Sequence, residues 1–189
     1  MKLAPNRAAQ AGFAMIEVLI TLVILLFGLL GLVGLQSRAQ LAETESYQRT
    51  QASILLRDMA DRISANRPFA ANYVTGSALG TGANPDCTAT DTATIDLCQW
   101  DALLKGSAET SGGAQVGAMI GARGCVTDIT PVTVPASTPR FLIAVVWQGL
   151  GTSTSAPPAS LACGGASYGN ENLRRAVSTV VEIGNLNAL

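Results

Sequence analysis

From Phe13 to Leu35 the chain reads "FAMIEVLITLVILLFGLLGLVGL", in which Glu17 is the only charge and Thr21 the only other polar side chain. The run is 23 residues long, or 18 counted from Val18. At about 1.5 Å per helical residue those lengths reach roughly 27 to 35 Å, which matches a hydrocarbon core of about 30 Å. A membrane-spanning helix is therefore expected. Lys2 and Arg7 precede it with no acid beside them. Positive flanks stay in the cytoplasm, so everything beyond Gln36 is expected on the exported side.

The rest of the composition fits one anchor and one domain. A chain of 189 residues holds a single ordinary core besides a membrane segment. Its 48% hydrophobic and 13% charged residues are far from a soluble average only because of the one apolar run. The formal net charge of −1, with no basic cluster in the exported part, gives no electrostatic basis for holding nucleic acid. Cys87, Cys98, Cys125 and Cys163 all fall on the exported side, where an even number favours two disulfides among three pairings.

Processing decides what Glu17 faces. After Leu35 the chain continues "QSRAQLAETES" with helical character, so a cut there would sever a helix instead of releasing a domain. The alternative is the unhindered Gly12-Phe13 bond, whose cleavage keeps the anchor and frees an amine on Phe13. Glu17 is four residues beyond Phe13, on the same helical face. A carboxylate in lipid needs a cation, and the amine of the same chain or of a neighbouring copy supplies one. An unpaired acid at that depth costs about 2.5 to 3.5 kcal/mol, and breaking a buried pair about 3 to 5 kcal/mol, enough to control assembly. The competing reading has Glu17 reach back to the cytoplasmic interface of a plain anchor.

The residues "GFAMIEVLI", Gly12 to Ile20, resemble the class III signal of type IV pilins and pseudopilins. The resemblance implies that a prepilin peptidase cuts after Gly12 and N-methylates Phe13. It also implies that Glu17 pairs with the amino terminus of a neighbouring subunit in the filament. Gly12, Phe13 and Glu17 match the family pattern position by position.

No proline or glycine occurs from Leu35 to Arg67, so the helix is expected to continue until Pro68 ends it. A helix from Phe13 to Asn66 would be roughly 80 Å long. Ala52, Leu55, Leu56, Met59, Ala60 and Ile63 follow the spacing of an apolar stripe that docks on a globular head. Arg57 with Asp61, and Asp58 with Arg62, read as solvated i, i+4 pairs. Gly28, Gly31 and Gly34 either permit close helix approach or are ordinary membrane-helix glycines.

Residues 69–124 read as mostly irregular, with a short helix at Ile95 to Lys105. Strand-like runs follow at Gly124 to Ile129, Arg140 to Gln148 and Arg175 to Ile183, and an antiparallel meander is expected against the apolar stripe. The fold class is α+β: the pilin fold, a long amino-terminal helix on a small antiparallel sheet. The domains are a leader at 1–12, a transmembrane helix at 13–35, its amphipathic continuation at 36–67 and a periplasmic head at 68–189. Cys87 with Cys98, and Cys125 with Cys163, are the expected disulfides, because each ties a loop to a regular element.

Catalytic chemistry has little to build on. The chain has no histidine, which removes Ser-His-Asp and Cys-His arrangements. Lys105 is the only lysine outside the leader. No cofactor, metal or enzymatic activity is expected. "CQWDALL" (Cys98 to Leu104), "GARGCV" (Gly121 to Val126) and "CGG…YGNENLRRAVSTVVEI" resemble the type IV pilus modification proteins, the PilV-type minor pilins. That resemblance implies a minor subunit that primes assembly and ends at or near the tip of the fimbrium. Its partners would be other minor pilins, the major pilin, the prepilin peptidase, the inner-membrane assembly machinery and a tip adhesin. A type II secretion pseudopilin shares the amino-terminal signal, and an anchored periplasmic binding or adhesin module is the reading from another class.

Overall fold

The computed structural model describes residues 15–82, 87–115, 117, 119–131, 138–153 and 155–184. The chain forms two compact units, Met1–Glu43 and Thr44–Leu189. One helix, α1 (Met15–Ala65), contributes to both. It closes just before Pro68, whose fixed φ instead opens a 3-10 helix at Arg67–Tyr73.

In the first unit every described side chain is exposed. Thr21 Oγ1 donates to the carbonyl of Val18 at 2.8 Å, so the hydroxyl inside the apolar run is satisfied by the helix itself.

The second unit is an α+β head. Helix α2 (Thr92–Leu104) begins three residues before the expected Ile95, because Asp91 caps it by accepting from Thr94 N–H at 2.9 Å. A two-stranded hairpin follows, β1 (Thr110–Ser111) and β2 (Ala114–Gln115), and then a sheet of β3 (Ile120–Asp128), β4 (Arg140–Gln148) and β5 (Arg174–Glu182). The sheet is an antiparallel meander in the order β3-β4-β5. The sequence reading missed the hairpin and β3's first four residues. The hairpin turns on Gly112 and Gly113, both at positive φ, as a two-residue turn requires. β3 starts early because its register slips between Ile120 and Arg123, at a bulge containing Gly121.

The strand β4 is buried on both sides, which is why "RFLIAVVWQ" is apolar nearly throughout. Phe141, Ile143, Val145 and Trp147 meet Ala52, Leu55, Leu56, Met59 and Ile63 of α1 in the main core, with Trp100 and Leu104 of α2. Ala144 and Val146 pack on the other side against Leu161, Cys163 and Tyr168. The indole of Trp100 is fully buried and its Nε1 donates to the carbonyl of Leu55 at 2.9 Å. Its six-membered ring reaches Gly124 of β3, where any Cβ would collide with the ring and with Leu104.

Candidate functional site

Glu17 lies in the first described turn of α1 and is exposed. After it the helix is apolar on all sides, from Val18 and Leu19 through Phe27 to Leu35, and every one of these large side chains is exposed in this chain alone. Such a surface has to be covered by lipid or by other helices. Among the described residues this is the one helix long and apolar enough to cross a membrane. A Cβ at Gly28, Gly31 or Gly34 would meet nothing within 4 Å, so whatever room these glycines leave is open to another molecule. Gly12 and Phe13 lie outside the described residues.

In the head, polar side chains fasten the elements that carry the core. Arg62 Nε donates to Asp58 Oδ2 at 2.9 Å, and its Nη1 donates to Asp96 Oδ1 and Gln99 Oε1 of α2, both at 2.7 Å. This corrects the expectation of a solvated Asp58–Arg62 pair. Arg62 is half-buried and bridges α1 to α2, and a partner 34 positions along the chain cannot be read from helical spacing. Burial alone would lower the Arg62 pKa, but the two carboxylates outweigh it and the pKa is raised. The hydroxyl of Tyr73 donates to Asp96 Oδ2 at 2.5 Å and accepts from Asn66 Nδ2 at 3.3 Å.

Burial first, and the bond to Asp96 next, push the Tyr73 phenol up to about 12. The fold therefore favours the neutral phenol. Its contribution is complete below the unfolded value of about 10 and is lost as pH rises through about 12. Tyr73→Phe should cost about 0.5 to 1.5 kcal/mol at neutral pH and should flatten the fall in head stability between about pH 10 and 12. Denaturant melts across that range check it, and an unchanged alkaline limb would contradict it.

Lys105 joins α2 to the loop before it. Its Nζ lies 2.7 Å from Oδ2 of the buried Asp101 and donates to the carbonyl of Gly82 at 3.1 Å. Asp101 Oδ1 accepts from the N–H of Gly80 at 2.7 Å. The spacing of Asp101 and Lys105 is a visible i, i+4 signal, and it is structural.

The four cysteines are joined in two pairs. Cys87 is bonded to Cys98 on α2, with Cα atoms 5.5 Å apart, and Cys125 on β3 to Cys163, with Cα atoms 5.9 Å apart. The loop holding Cys163 is also fixed by Arg174, a buried cation the sequence reading did not single out. Its Nη1 donates to the carbonyls of Leu161 at 2.7 Å and Cys163 at 3.0 Å, and its Nε to Glu171 Oε2 at 2.7 Å. The Ala166 N–H and then Arg174 hold the Glu171 carboxyl below its usual range. Glu171 and Arg174, three apart in "ENLRR", were the signal that could have found this clamp. Among the described residues no group of three or more Asp, Glu, Cys or His side chains could hold a metal.

The arrangement is an apolar helix long enough to cross a membrane, with an acid in its first described turn, continuing into the α1 segment of a small α+β head. The prokaryotic N-terminal methylation motif matches residues 7–33, and the family described as type IV pilin Tt1218 matches residues 34–103. Over these two adjacent stretches the chain is similar to type IV pilins. Nothing matches it among curated proteins or among solved structures. Pilins are structural subunits of pili, and the methylation motif implies processing by a prepilin peptidase.

Proposed function

We propose that the chain is a minor pilin, a non-enzymatic subunit that primes type IV pilus assembly with other minor pilins and sits at or near the tip. The observation that carries this is Glu17, the single charge of the apolar run, inside a segment matched by the N-terminal methylation motif. On this reading residues 1–12 are the leader. Hydrolysis of the Gly12-Phe13 bond frees the amine that is then methylated, residues 13–35 span the inner membrane once, and the head matures in the periplasm with both disulfides closed. The amine of one subunit neutralises Glu17 of another, so the acid leaves the bilayer paired and the helix joins a bundle. The other minor pilins, the major pilin, the assembly machinery and a tip adhesin are the partners. The carboxyl-terminal motifs around Cys98, Cys125 and Tyr168 favour this over a secretion pseudopilin.

The test is Gly12→Val. A branched side chain beside the scissile bond obstructs the peptidase, so the variant should stay in the membrane as a precursor about twelve residues heavier and should be missing from sheared pili. Normal processing and incorporation of Gly12→Val would refute the assignment of the site.

A further inference from the structure

Among the described residues one sheet edge is covered and the other is open. Along β3, Leu79 and Gly124 exchange N–H···O bonds at 2.9 and 3.0 Å, and Thr75 N–H donates to the carbonyl of Val126 at 2.9 Å, so the segment 75–79 covers that edge. On the other side β5 ends the sheet. Gly149 N–H donates to Leu173 and Ile183 N–H to Pro139 at the two ends of the β4–β5 ladder. Alternation along an antiparallel pair then gives β4 the odd-numbered backbone groups of β5 and turns those of Ala176, Ser178 and Val180 outward.

A groove of about 440 Å³ runs beside this edge, lined by Arg49, Ser53 and Arg57 of α1 and by Val177, Ser178 and Thr179 of β5. Arg49 and Arg57 are exposed, and neither has a carboxylate within ion-pair distance among the described residues. Eight helical residues separate them by about 12 Å, close to the roughly 13 Å that four residues of extended chain cover. Asp61, one turn past Arg57 in the same groove, repels a third acid and limits the match to two.

We propose that β5 takes an extended segment of another polypeptide by strand addition, and that this segment carries carboxylates four residues apart on the side facing α1. Outward main-chain groups supply the hydrogen bonds, and Arg49 and Arg57 select the sequence. The lone edge carries no inward-pointing charge or proline at Ala176, Ser178 or Val180 that would block pairing.

The test uses the full chain in detergent micelles and a fluorescein-labelled ten-residue peptide of alternating Thr and Val with Glu at its third and seventh positions. Anisotropy should show saturable binding, about tenfold weaker when both acids become Lys or when one moves to the sixth position, on the opposite strand face. Arg49→Glu with Arg57→Glu should weaken the acidic peptide about tenfold and favour the Lys peptide. Val180→Pro should abolish binding, since it removes an outward N–H without touching the β4 ladder; the charge-reversal pair serves as the second arm should that proline unfold the head. Equal binding of the Lys peptide, indifference to charge reversal, or no binding up to about 1 mM would overturn the proposal. So would self-association of the chain that Val180→Pro removes, since the edge would then hold a second copy. None of these readouts involves Gly12, Phe13 or Glu17, so their failure is separable from failure of the processing reading.

Discussion

Glu17→Ala should be cut and anchored like the wild type and yet be almost absent from sheared pili. The acid is exposed in the first turn of α1 and belongs to the unit Met1–Glu43, so its removal leaves the folded unit Thr44–Leu189 intact. On the proposed pairing, what it removes is the counter-charge for a neighbouring amine inside a helical bundle. Leaving that amine buried alone costs about 3 to 5 kcal/mol, or roughly two to four powers of ten in incorporation. The measurement is an immunoblot of sheared filaments against the membrane fraction, with the melting midpoint of the head as a control that should not move. Wild-type incorporation would contradict the pairing mechanism while leaving the fold untouched.

Trp100→Ala should produce the largest loss of head stability. The indole is fully buried between α1, β3 and β4 and holds a bond to the carbonyl of Leu55, so truncation opens a cavity and strands a polar contact. Such losses run to about 3 to 5 kcal/mol, against a total of about 5 to 15 kcal/mol for a domain. Thermal melts should show the midpoint falling by roughly 10 °C or more. Gly124→Ala approaches the same contact from the other side, forcing a methyl into the ring and Leu104, and should cost about 1 to 3 kcal/mol. A Trp100→Ala head that melts within a degree of the wild type would mean that the indole does not organise this core.

The elements legible in the sequence were those governed by local rules. The long helix follows from the absence of proline and glycine between Leu35 and Arg67, and its buried stripe of Ala52, Leu55, Leu56, Met59 and Ile63 from helical spacing. β4 occupies Arg140 to Gln148 because its run of branched and aromatic residues allows little else. Apart from the Cys125–Cys163 disulfide, contacts between distant positions were not legible. Nothing local to Arg62 indicates Asp96, and nothing local to Tyr73 indicates that Asn66 and Asp96 will share its hydroxyl. The 3-10 helix at Arg67–Tyr73 was also hidden, since Pro68 marks an end as readily as a beginning. Glu17 was conspicuous for a different reason: a charge in an apolar run conflicts with its local setting, and such conflicts mark positions where function outweighs local preference.

The account rests on the state of the amino terminus in the membrane-inserted protein. Mass spectrometry of its first tryptic peptide decides this directly. N-methylated Phe13, with residues 1–12 gone, is the predicted result. A terminus that still begins at Met1 would contradict it, leaving Glu17 without the amine that turns an anchor into a filament subunit.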